Sequence, residues 1–157
     1  MKKFILPIIC FLLCACQNKM NHNEEFQLYD QMKERLLRQE NFDEDYPFEI
    51  ELNYYEHDNE LIYDVVINNS KIDMYHCIFL VYANESQDQL CPSLGIFDSE
   101  IYSIKKQGSQ KKGMYKGVIL SGKSQERQNI RLYIQYYSDE SLENKNEMFI
   151  EVKDEIR

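Results

Sequence analysis

Phe48-Glu49-Ile50-Glu51-Leu52-Asn53-Tyr54 is the stretch on which the fold turns. Apolar and polar side chains alternate there with a period of two, the signature of a strand buried on one face only. Leu61, Tyr63, Val65 and Ile67 repeat the pattern, and Asn68-Asn69-Ser70 is a turn signal. Met74 to Ala83 is almost continuously apolar, as expected for a central strand. Ser93 to Phe97 and Ile101 to Ile104 read as short strands or one bent strand; Tyr115 to Leu120, Ile130 to Tyr137 and Met148 to Val152 complete the set. About seven strands with no helix between them predict a mainly β domain over residues 46–157. The expected architecture is an antiparallel β-sandwich, immunoglobulin-like, with a small barrel or a helix-covered curved sheet as the alternative. If Asn84–Gln89 is a hairpin loop, Ala83 faces Leu90 and Cys77 faces Ile96.

Before the strands the period changes. Phe26, Tyr29, Met32, Leu36 and Leu37 recur at helical spacing, predicting one amphipathic helix over residues 24–41. Asn23 is the expected cap, Glu24 and Glu25 suit the positive end of the dipole, and Glu34 and Arg38 form an i,i+4 pair. The apolar stripe is narrow, so the helix is expected to lie on a sheet.

At the N-terminus Met1-Lys2-Lys3 precedes an apolar run from Phe4 to Ala15. A basic start and a run well short of the roughly 20 residues of a membrane span are the layout of an export signal. Leu13-Cys14-Ala15-Cys16 resembles the lipobox of bacterial lipoproteins: Leu13, Ala15 and Cys16 match, and Cys14 is a less usual small residue at its position. The resemblance covers residues 1–16 only. It implies a signal peptide over 1–15, a diacylglyceryl group on the Cys16 thiol and cleavage before Cys16. Two acyl chains hold a protein stably on a membrane where one does not. Residues 16–23 are then a lipidated cysteine and a short polar tether, spanning at most roughly 25 Å. The expected location is the extracytoplasmic face of the cell membrane, and a composition rich in Lys, Asn, Ile, Glu and Tyr suits a Gram-positive source.

Loss of Lys2 and Lys3 with the signal takes the net charge from −9 to −11. An acidic, exported domain is not expected to bind nucleic acid. Of the 5 cysteines only Cys77 and Cys91 stay free of signal and lipid. Outside the cytoplasm they are a candidate disulfide, worth about 3 kcal/mol for a loop of this length. The hairpin register above does not align them, so the bonded and free states both stay open.

No GxSxG or HExxH motif occurs. Glu56-His57-Asp58-Asn59-Glu60, Asp43-Glu44-Asp45 and Asp139-Glu140 carry oxygen ligands but lack the glycine and spacing of a calcium loop, and read as solvated turns. Neither catalysis nor a metal or other cofactor is expected. Tyr54-Tyr55, Tyr133 and Tyr136-Tyr137 put rings on both faces of their strands, as strand formers or as a recognition patch. Charge order is the other outlying feature. Ile101 to Gln125 holds no acid, yet it contains Lys105, Lys106, Lys111, Lys112, Lys116 and Lys123. The first five make a candidate binding patch around an expected turn at 105–113, aimed at anionic lipid, wall polymer or an acidic protein surface; lysines guarding an edge strand are the alternative. The functional expectation is a lipid-anchored, non-enzymatic surface module that binds a protein partner. An accessory subunit of an envelope assembly (secretion, conjugation or transport) and a small-solute or ion-binding lipoprotein are the alternatives.

Overall fold

The computed structural model describes residues 22–84, 86, 88–107 and 112–155. The expected signal peptide, Cys16, the tether up to residue 21 and Lys111 lie outside the described residues. The element order is α1 (His22–Arg38), β1 (Glu49–His57), β2 (Glu60–Asn68), β3 (Met74–Tyr82), β4 (Ser93–Leu94), β5 (Tyr102–Ile104), β6 (Met114–Tyr115), β7 (Val118–Ser124), β8 (Ile130–Tyr137) and β9 (Lys145–Val152). The fold is mainly β and forms a sandwich. One sheet has the order β1-β2-β7; the other runs β6-β5-β3-β8-β9, with β4 also on β3.

The large sheet is covered on both faces, which explains the unbroken apolar run of β3. Phe79 and Val81 of β3, with Leu132 and Ile134 of β8, face the small sheet and pack with Val65, Ile67 and Leu120. Leu80 and Tyr133 point the other way, against Tyr29, Met32 and Leu36 of α1. The helix is therefore a third layer. It begins by His22, so Asn23 lies inside it and is not its cap, and Leu37, placed in the expected apolar stripe, is 40% exposed.

Local chemistry sets the connections. Asp58 and Asn59 both adopt positive φ (50° and 63°) between the paired residues His57 and Glu60, a two-residue turn of the mirror-image kind that matches strand twist. The β3–β4 register places Phe79 opposite Leu94 and Leu80 opposite Ser93. That is the register expected from an Asn84–Gln89 loop. A bulge at Tyr75–Ile78 puts His76 at φ 48°. Beside it Gly95, at φ 80°, lies so close to the Cys77 carbonyl that no side chain fits.

Two further expectations change. Tyr115 to Leu120 is not one strand: the chain leaves the large sheet after Tyr115 and enters the small one at Val118, passing against the Ile67 carbonyl at Gly117, where a Cβ has no room. And β5 and β6 pair in parallel, Ser103 with Met114 and Ile104 with Tyr115. Residues 105–113 are thus a connection between parallel strands rather than a hairpin tip.

Candidate binding groove

β1 ends one sheet and β9 ends the other, and the two edges lie on the same side of the sandwich. Between them, closed at one side by the chain leading from α1 to β1, runs an open groove of about 920 Å³. Its floor comes from the inward-facing residues of β1. Ile50, Leu52 and Tyr54, with Tyr46, are half-buried and continuous with the intersheet core. The Tyr54 hydroxyl donates to the Gln128 carbonyl at 2.9 Å and accepts from the Gln128 N–H at 3.2 Å, which fixes the ring; burial raises its pKa.

The walls are acidic. Glu40, Asp43, Glu44, Glu51, Glu151 and Glu155 line the groove against Arg127 and Lys153. Asp43 is structural: its N–H donates to the Phe149 carbonyl at 2.7 Å, and its carboxylate accepts from the Phe149 N–H at 2.8 Å, stitching the incoming chain to β9. Arg127 is spent on Asp154 through hydrogen bonds of 2.9 and 2.6 Å and stacks 5.1 Å from the Tyr54 ring. The other five carboxylates form no ion pair among the described residues, so the groove holds uncompensated negative charge.

Backbone groups add to the site. A two-residue turn makes His57 and Glu60 a hydrogen-bonded pair, and alternation along an antiparallel ladder then turns the N–H and C=O of Ile50, Leu52 and Tyr54 away from β2. Among the described residues nothing pairs with them. On β9 the two bonds between Phe149 and Asp43 show that odd-numbered residues face its free edge, so Glu151 also presents its backbone there.

The lysine patch is different from what charge order implied. Lys105 lies 3.0 Å from Asp73 and 3.7 Å from the centre of the Tyr75 ring, with its side chain only 15% exposed. Lys112 pairs with Glu100 at 2.7 Å, and Lys123 with Glu60 at 2.6 Å. Lys106 binds Asp73 through its backbone N–H, leaving its ammonium in solvent. Lys116 is exposed where the chain crosses between sheets. Of the five patch residues, Lys106 and Lys116 are thus the described ammonium groups left free.

Cys77 and Cys91 are free thiols, not a disulfide. They sit on opposite faces of the large sheet: Cys77 in the core between the sheets, Cys91 beneath α1. Burial pushes the Cys77 thiol up to about 12. The Cys91 N–H donates to the Tyr29 hydroxyl at 2.7 Å. Of the tyrosine doublets, Tyr54 and Tyr136 turn inward, Tyr55 is 46% exposed and Tyr137 meets His76 edge to face. His57 is exposed beside Asp58. Among the described residues no three His, Cys, Asp or Glu side chains converge as metal ligands, and no helix is long and apolar enough to cross a membrane.

The groove escaped the sequence because its acids come from three distant segments, and only the closeness of the β1 and β9 edges joins them. Glu51 and Glu151 read locally as the outward half of an alternating strand. No family model, curated protein or solved structure matches the chain.

Proposed function

We propose that the protein is a lipoprotein held by Cys16 on the extracytoplasmic face of the cell membrane, and that its β-sandwich is a non-enzymatic binding module for a protein partner. The observation that carries the binding role is the groove: five carboxylates without ion-pair partners among the described residues, over a half-buried apolar floor. Uncompensated charge beside apolar surface favours a cationic, partly apolar protein segment over a neutral solute. The anchoring role rests on the lipobox resemblance at Leu13 to Cys16. Lys106 and Lys116 are a second contact, for anionic lipid or wall polymer. The immunoglobulin-like reading is supported by strand order, with β1-β2-β7 facing β3-β8-β9.

A second reading, an accessory subunit of an envelope assembly, is favoured by the outer face of the small sheet. Tyr55 and Ile119 are 46% and 58% exposed there, with no helix over them among the described residues.

Mild crosslinking in native membranes tests these readings, comparing wild type with Glu51→Lys/Glu151→Lys and with Lys106→Gln/Lys116→Gln. A partner lost only with the glutamate variant supports the groove. A partner lost only with the lysine variant moves the site to the opposite edge. The same partner recovered from all three moves it to the Tyr55–Ile119 face.

A further inference from the structure

Resting on the groove reading, we infer that the ligand is an extended, lysine- or arginine-bearing polypeptide segment that adds as a strand to the free edge of β1.

Three independent features of the groove ask for the same ligand. Along Ile50, Leu52 and Tyr54, backbone donors and acceptors face outward at the two-residue repeat of a strand, unpaired among the described residues. An extended chain is the ligand shape that satisfies such a row, and main-chain pairing then supplies affinity without dictating sequence. The side chains of the same three residues form a half-buried apolar floor, so every second residue of an added strand would land on apolar surface. The intervening residues would point to the rim, where Glu51 of β1 and Glu151 of β9 lie on either side. An alternating basic and apolar segment meets all three demands, with lysine or arginine outward and aliphatic residues inward.

Position supports the same occupant. The edge of β9 is already partly closed by the two hydrogen bonds between Asp43 and Phe149, whereas β1 has no such cover among the described residues. Edge strands are commonly guarded by lysine, a bulge or proline. β1 carries no lysine, its register with β2 is unbroken from Glu49 to His57, and Pro47 stands just before it. What β1 carries instead is Glu49, Glu51 and Glu56, which repel an acidic strand and admit a basic one.

The test uses the full chain in non-ionic detergent and a blocked octapeptide alternating lysine with valine, read by fluorescence anisotropy. Two further peptides carry N-methyl groups on the lysine residues or on the valine residues. Only one of these sets lies on the edge that would pair with β1, so one methylated peptide should lose about tenfold or more in affinity and the other should stay near the parent. Glu51→Lys/Glu151→Lys should weaken the parent peptide, and a glutamate–valine peptide should not bind. Equal effects of the two methylated sets, equal binding of the acidic peptide, or no binding of the parent peptide would each overturn strand addition. The native-membrane crosslinking stands apart from this. A partner lost from the glutamate variant while these peptides fail would leave the groove as the site and remove the strand.

Discussion

Arg35 of the helix holds Glu147 of β9 by two parallel hydrogen bonds, of 3.0 and 2.6 Å, across 112 residues of chain. Tyr133 donates its hydroxyl to the same carboxylate at 3.0 Å, and Lys145 closes the group at 3.0 Å. The guanidinium also lies 5.4 Å from the Phe149 ring and 5.7 Å from that of Tyr133. This cluster sets where α1 rests along the sheet. Both side chains keep some exposure, so the pair is screened, and its bidentate geometry is what lifts it above an ordinary surface bridge. Arg35→Met should lower stability by about 1 kcal/mol, seen as a shift in the urea midpoint, with faster hydrogen exchange concentrated in α1.

The same carboxylate gives a pH dependence. The hydrogen bond from Arg35 holds Glu147 down at about 2, against burial acting in the opposite direction. Its unfolded value is about 4.3. A group depressed on folding binds its proton first in the unfolded state, so its contribution is complete above about 4.3 and falls away as pH drops toward about 2. Wild type should therefore lose more stability over that interval than Glu147→Gln, measured by urea titrations at successive pH values. Parallel curves would show that the carboxylate has no preferential partner in the folded state.

Much of this fold was legible because period and burial coincide. Phe48 to Tyr54 alternates since β1 has one buried face, and Met74 to Ala83 does not since β3 lies between the small sheet and the helix. Even the β3–β4 register followed from one assumed loop. What stayed hidden depends on partners distant in sequence. The break between Tyr115 and Val118 is imposed by the Ile67 carbonyl at Gly117. Lys105 and Lys112 count as a basic run until Asp73 and Glu100 are folded against them. The groove arises in the same way, from two edge strands nearly a hundred residues apart in the chain.

The thiols make a sharper test of layer assignment. Cys77 is buried between the sheets with its pKa pushed up to about 12, and Cys91 is buried under the helix. Neither should form a disulfide with the other on mild oxidation, and intact-mass spectra should show no loss of two hydrogens. Iodoacetamide should label Cys77 only after unfolding, because the thiolate is the reactive form. In Arg35→Met, Cys91 should become labelled before Cys77 as denaturant is added, since the helix layer loosens first.

Gly95 links the bulge of β3 to the strand beside it. Its φ of 80° and the nearness of the Cys77 carbonyl leave no place for a methyl group. Gly95→Ala should therefore destabilise by about 2 kcal/mol or more, through left-handed backbone strain and displacement of β3 together. Thermal unfolding compared with wild type reads the loss.

Two tyrosines one strand apart predict opposite signs for the same chemical change. The rings of Tyr54 and Tyr63 are 6.2 Å apart, but the Tyr54 hydroxyl is bonded to Gln128, while that of Tyr63 is buried without a hydrogen-bond partner among the described residues. Tyr63 lies across from Gly122, and its ring occupies the space that a side chain there would fill. Removing a satisfied buried hydroxyl lowers stability; removing an unsatisfied one relieves a desolvation penalty while keeping the ring and its packing. Tyr54→Phe should thus lower stability by about 1 kcal/mol, because it also strands the Gln128 carbonyl and N–H, and Tyr63→Phe should raise it by a similar amount. Paired urea titrations read both signs at once. A fall in both midpoints would mean that the Tyr63 hydroxyl has a partner in solution, with the neighbouring Asp88 carboxylate the group closest to supply it.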